Sequence, residues 1–382
     1  MVEKKMPGRQ EDLDVVKGIA MIMVILVHYN QSYESNIPWF RFFQMGCQVF
    51  FVIAGYGGAA SFSKKLRDQS YGQAAKTFLW SRIWGIAPAW YFMMVVTYLA
   101  NSISVWLTGN LLPIGINRNP LAILCNVLFI HGLIPSCNNN VMPGGWYIGT
   151  IMVLYVATPL LFYLLSTAKT VSKKRGRCLC VSMAAFLLLI GISVSVPGDP
   201  QMVMGNNSFW YFSPLTQIPC YLLGMLLFFE TRDNAAVDKK ENVRKGVLAF
   251  VWMVVAVILF FNPVIWYSYI LDASLVGVAT FFGLQWIMKK EKGWLYKMIA
   301  APLKSIGRKT LYIYLVHTYF AWIFVEWFQK ETLRIGLDSD NYVGFFLLIP
   351  VVILASYIFG ELVQRTVARL SSCFEKKWQA AK

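Results

Sequence analysis

Three histidines are the residues best suited to move a proton, and all three sit in or beside long apolar runs: His28, His131 and His317. Imidazole is the side chain whose ordinary pKa lets it take and return a proton near neutrality. Inside an apolar helix it is costly unless it faces a partner or a water-filled cavity. The run that carries His28 opens with Asp14-Val-Val-Lys17, and Lys17 stands eleven residues before the histidine. That spacing is about three helical turns, so the two share a face roughly 16 Å apart along the axis. One helix thus offers a cation near a membrane rim and a titratable base deeper in. The plainer alternatives are that Lys17 snorkels as an anchor and that His28 is a structural hydrogen-bonding group.

Other residues add to this set. Arg82 lies at the start of the apolar run after Lys76, where a guanidinium can serve a phosphate bidentately or simply mark the inner rim. Tyr314 lies one turn before His317 on the same helix face, so the two can share a polar pocket. His131 precedes a Pro143-Gly-Gly-Trp146 segment that leads into another apolar run. In the run 38–61, Gln44, Gln48, Phe51 and Gly55 share one face, and Ala54 with Gly58 forms a small-xxx-small pair that favours close helix packing.

The elements that must position these groups follow from composition. Of 382 residues 57% are hydrophobic and only 14% charged, with a mean hydropathy of +0.52. A soluble chain of this length could not keep so much apolar surface from water, so the bilayer is its solvent. The sequence predicts an all-α, polytopic integral membrane protein with about ten spans, near 15–34, 38–61, 78–100, 146–166, 178–196, 208–230, 246–262, 264–288, 306–328 and 342–364. No small-residue cleavage site follows the first run, so it is expected to be retained. The stretch Leu121–Ile134 is too short to cross, and is expected as a re-entrant or interfacial helix within a long outer loop, 101–145. With that threading, all but Arg41, Arg118, Lys330 and Arg334 of the 35 lysines and arginines fall in or beside one set of loops. Basic residues resist translocation, so this side is expected to be cytoplasmic. Both termini, with tails of about 1–14 and 366–382, then lie in the cytoplasm, and the 167–177 and 289–304 loops with them. The whole chain, 1–382, reads as one domain in a plasma membrane. The net charge of +16 is explained by this asymmetry and is no argument for nucleic acid. The seven cysteines lack zinc or disulfide spacing, and no metal is expected.

In order along the chain, several motifs resemble the acyltransferase-3 family of membrane-bound O-acyltransferases. They are Lys17 with His28, Val49-Phe-Phe-Val-Ile-Ala-Gly-Tyr56, Arg82 with Pro88, Gly-Gly-Trp146 with Tyr155 and Pro159, and Gly307 followed by Tyr314-Leu-Val-His317. The resemblance implies a ten-span acyltransferase that moves an acyl group, often acetyl from acetyl-CoA, onto a hydroxyl of a surface glycan, glycolipid or lipid-linked envelope molecule. It implies His28 as general base and Lys17 as the first-span cation, where arginine is commoner. Two departures stand out. A second arginine often follows Arg82 by three positions, where this chain has Gly85, and a glutamate usually follows the Trp146 motif, where this chain has Ile151.

Acyl transfer from a thioester to an alcohol needs removal of the alcohol proton and stabilisation of an oxyanion. His28 suits the first, Tyr314 the second, and His317 the support of both. Lys17 and Arg82 would hold the phosphates of acyl-CoA, the co-substrate; no bound cofactor is expected. The rival from another class is a transporter or flippase of a lipid-linked sugar, its histidines coupling protons. Such folds often show repeated halves and broken helices at corresponding positions, and neither is visible here.

Overall fold

The computed structural model describes residues 11–32, 37–112, 119–195, 209–233, 239–262, 268–288, 293–326, 328, 331 and 342–380. The expected basic blocks at Lys4, Lys5 and Arg9 and at Lys289, Lys290 and Lys292 lie outside them, as does most of the expected N-terminal tail. All regular structure among the described residues is helical. We number the principal helices α1 (Glu11–Ser32), α2 (Gly46–Lys65), α3 (Tyr71–Thr108), α4 (Pro120–Val127), α5 (Trp146–Ser166), α6 (Val171–Ser195), α7 (Pro214–Asp233), α8 (Lys239–Phe261), α9 (Ser268–Ile287), α10 (Trp294–Arg308), α11 (Thr310–Tyr319) and α12 (Tyr342–Ala380).

Each expected span contains a helix, and the chain is an all-α polytopic membrane protein. Among the described residues, seven helical segments are long and apolar enough to cross a bilayer. The expected total of ten is not reached on that criterion, for physical reasons. Polar groups from Glu11 through Lys17 to His28 dilute α1. The region of α11 is broken by a non-helical Lys309 before it and a π-turn, Phe320–Phe324, after it. The helix near 264–288 is apolar over the shorter stretch Leu271–Ile287.

Outward faces confirm the solvent. On α8, Val243, Val247, Phe250, Val254 and Ile258 are all exposed, a continuous apolar stripe at helical spacing that water would not tolerate. Inside, close approaches between backbones replace hydrophobic collapse as the means of packing. A Cβ on Gly18 of α1 would collide with the Leu303 carbonyl of α10, and one on Gly307 with the Asp14 carbonyl. Gly55 of α2 and Gly224 of α7 meet the facing carbonyls of Tyr221 and Val52 in the same way.

The short element in 101–145 is α4, started by Pro120 and by the Asn119 side chain, which accepts from the Leu121 amide at 2.9 Å. It ends at Val127, before Phe129 with its φ of 59°, and two 3-10 turns follow, His131–Leu133 and Pro135–Cys137. A correction concerns 289–304, expected as a connecting loop. Its described part is mostly the amphipathic helix α10, with Trp294, Met298 and Ile299 exposed on one side. The other side holds the start of α1 through Tyr296 with Asp12, Lys304 with Glu11, and Arg308 with Asp14. Its apolar residues are spaced for a helix but interleaved with lysines, which obscures the period.

Candidate active site

His28 lies in the last turn and a half of α1, and His317 near the end of α11. The two rings approach to 5.0 Å between centroids, tilted by 51°. Trp322 closes on His28 edge-on at 5.9 Å, and Nδ1 of His28 lies 3.2 Å from Oε1 of Gln31, one turn along the same helix. His317 is fully buried. Its Nδ1 stands 2.6 Å from the Tyr314 carbonyl oxygen. A carbonyl only accepts, so this contact requires the proton of the neutral ring to sit on Nδ1. Nε2 of His317 is then a lone pair, buried and without a hydrogen-bond partner among the described residues. The chain thus presents a pair of adjacent imidazoles, one of them with its basic nitrogen defined by the backbone.

Tyr314 is the joint between this pair and a cavity of about 280 Å3. Its ring lies 5.4 Å from His317 and 5.5 Å from Tyr147, and its hydroxyl donates to the Gly144 carbonyl. The cavity is lined by Lys17, Arg82, Thr310, Tyr155, Tyr147 and Tyr314, with Phe50, Ile53, Ile148 and Ile151 among its apolar residues. Its lining holds two cations and no carboxylate. His28 and His317 are not part of that lining; His317 lies next to Tyr314, and His28 lies beyond His317.

Each cation is held in place by the fold. Lys17 donates to Oδ1 of Asp14 at 3.2 Å, and the buried Asp14 also pairs with Arg308 at 3.4 Å. The i,i+3 spacing of Asp14 and Lys17 places both on one face of α1. Arg82 donates through Nη2 to the Gly57 carbonyl of α2 at 2.9 Å. Its guanidinium lies 5.0 Å from the ring centres of both Phe78 and Tyr155, and its buried Nε has no hydrogen-bond partner among the described residues.

The two sequence departures have different structural meanings. Gly85 is exposed, with nothing near the position a Cβ would take, so it is no part of the cavity wall. Ile151 is buried and lines the cavity, so that wall is apolar where a carboxylate would have been expected. His131 is the histidine that does not join the pair. It stacks on Trp90 at 5.5 Å, nearly parallel, and Nε2 lies 3.1 Å from the Gly145 carbonyl. It therefore holds the Gly144–Gly145 turn to which Tyr314 is bound. Sequence reasoning did not single out Trp322, Gln31 or Tyr147; only the i,i+3 relation of His28 and Gln31 was available as a signal. Among the described residues no group of three or more His, Cys, Asp or Glu is arranged to hold a metal.

A family model described as an acyltransferase domain matches residues 10–361, nearly the whole chain. No curated protein and no solved structure matches.

Proposed function

Because the chain belongs to the acyltransferase-3 family and is a multi-pass membrane acyltransferase, we propose that it is an O-acyltransferase using acyl-CoA, most simply acetyl-CoA. Its acceptor is a hydroxyl of a surface glycan, glycolipid or lipid-linked envelope molecule. The observation that carries this reading is a cavity lined by Lys17, Arg82 and Tyr314, with the imidazole pair reached through Tyr314. Phosphates of the donor fit Lys17 and Arg82; Asp14, which pairs with Lys17, also pairs with Arg308, so its charge is shared between two cations. The thioester arm fits the apolar length between Ile53 and Ile151. The reading places the membrane in the cell envelope, with the basic loops and both termini cytoplasmic.

In this mechanism His28 removes the proton of the acceptor hydroxyl as its oxygen attacks the thioester carbonyl carbon. The carbon–sulfur bond then breaks, and the thiolate of CoA takes the proton back from the imidazolium. His317 supports His28 across 5.0 Å. For the Tyr314 hydroxyl to stabilise the oxyanion it must turn from the Gly144 carbonyl to the substrate.

The test is acyl transfer by purified protein in lipid nanodiscs, supplied with radiolabelled acetyl-CoA and an envelope extract as acceptor. Release of free CoA with label in an acceptor, lost in His28→Ala, is the expected result. Transport of a lipid-linked sugar with no thioester consumed would overturn it. Mass spectrometry of envelope glycans from cells with and without the protein would name the acyl group and the acceptor together.

A further inference from the structure

The first turns of α9 carry a carboxylate that acyl transfer does not use. Asp272 is completely buried, and neither of its oxygens meets a hydrogen-bond donor among the described residues. It sits beside a closed polar network. Gln48 of α2 donates to Oε1 of Gln217 on α7 at 3.1 Å, and Gln217 donates to the Tyr211 carbonyl at 2.7 Å. The Tyr211 hydroxyl donates to Oε1 of Gln48 at 3.2 Å. The Cys220 thiol of α7 contacts the carbonyl of Ala273, the residue after Asp272, at 3.1 Å. Gln48 and Gln217 are fully buried.

We infer that Asp272 is a proton-binding site, its carboxyl held as the neutral acid inside the bundle. An ionised carboxylate in a membrane bundle needs a cation or several donors, and among the described residues neither oxygen of Asp272 has a hydrogen-bond partner. Residues 46–63 of α2, 214–229 of α7 and 246–261 of α8 contain no lysine or arginine. The titratable groups of α2, α7 and the segment before α7 in this half of the bundle include Cys47, Tyr211 and Cys220, with His28 on α1. A cation, Arg41, stands on the 3-10 turn Pro38–Met45, whose Trp39 and Phe42 pack on Phe261 and Phe260 at the end of α8, and it is exposed. The charged residues of α8, including the Glu241–Lys245 pair, lie at its other end. There Gly246 packs on Trp286, about four turns of α9 from Asp272.

A proton is also the ligand that the packing admits. Among the described residues no three His, Cys, Asp or Glu gather around a metal position, and the two glutamine oxygens are already occupied as acceptors. An ammonium or sugar hydroxyl needs volume, and Asp272 is sealed. Tyr211 of the polar network packs on Trp146 at 6.1 Å, and the next residue, Tyr147, lines the cavity.

Infrared spectroscopy of the full-length protein in nanodiscs at neutral pH tests this, with isotope-labelled aspartate to pick out aspartyl carboxyls. A carbonyl-stretch band of a neutral carboxylic acid should appear, shift with the label and disappear in Asp272→Asn. If the asparagine variant does not fold, Asp272→Glu keeps the acid, and its band should no longer move with labelled aspartate. A wild-type spectrum with no neutral-acid band from aspartate would overturn the assignment, as would a band that survives in Asp272→Asn. The measurement needs no donor or acceptor, so its outcome is separate from the fate of the acyl-transfer reading.

Discussion

The Tyr314 carbonyl fixes the tautomer of His317: at 2.6 Å it can only accept the Nδ1 proton, which leaves Nε2 as a buried lone pair. Both residues lie on α11, one turn apart. His28 comes from the far end of the sequence to meet them, and Trp322 backs it. A base and a neighbour of defined basicity are thereby brought together in the low-dielectric interior, where proton transfer is most sensitive to geometry.

His28→Ala should lower acyl transfer by about 10²–10⁴-fold, the range of a general base, with insertion and thermal stability retained. His28→Gln separates base from hydrogen-bonder, because glutamine cannot take a proton near neutral pH. Near-normal turnover in the glutamine variant would move the role of base to His317. His131→Ala should retain more activity than His28→Ala, since His131 acts only through the Gly144–Gly145 turn.

Lys17→Gln and Arg82→Gln should each raise the KM for acyl-CoA, and Arg82→Lys should not restore it. Lysine cannot reproduce the planar contact with Phe78, Tyr155 and the Gly57 carbonyl at once. Lys17→Arg should be tolerated, because Asp14 can pair with either cation. Isothermal titration with CoA checks these directly. Unchanged affinity in the double glutamine variant would leave both residues as rim anchors.

Much of this site was legible in the sequence because polar groups are conspicuous in apolar helices. Lys17 and His28 announced a shared face, and Tyr314 with His317 announced a shared turn. What was not legible came from contacts between distant segments. Trp322 is one of 14 tryptophans in a chain that is 16% aromatic, so it carried no signal until the fold set it on His28. Arg308, reaching across to Asp14, looked like one more basic residue of the inner face. The helical character of α10 was hidden by the lysines that make its loop look merely basic.

Gly307→Ala should destabilise the protein without touching the cavity. The added Cβ would collide with the Asp14 carbonyl where α10 crosses α1. Backbone cannot yield as a side-chain tip can, so a cost of about 1–3 kcal/mol is expected for such overpacking. Gly85→Ala is the matched control, because its Cβ would meet nothing. A melting curve in detergent should show a lower midpoint for the first variant and none for the second; equal midpoints would refute the close crossing of α1 and α10.

The orientation of the bundle can be read by thiol labelling, and the structure decides which positions to use. The native Cys137 in the 101–145 loop is a poor reporter because it is buried, whereas Cys180 and Cys373 are exposed and should first be replaced by serine. Asp68 and Asn110 are both exposed and sit beyond the two ends of α3. That helix of 38 residues rises about 57 Å, ample to separate the two faces of a membrane. If the basic loops are cytoplasmic, Asn110→Cys should react with an impermeant maleimide in intact cells. Asp68→Cys should react only after permeabilisation. The reverse pattern would invert the whole threading. It would place Lys17 and Arg82 on the side where acyl-CoA is absent, and the donor assignment would fall with it.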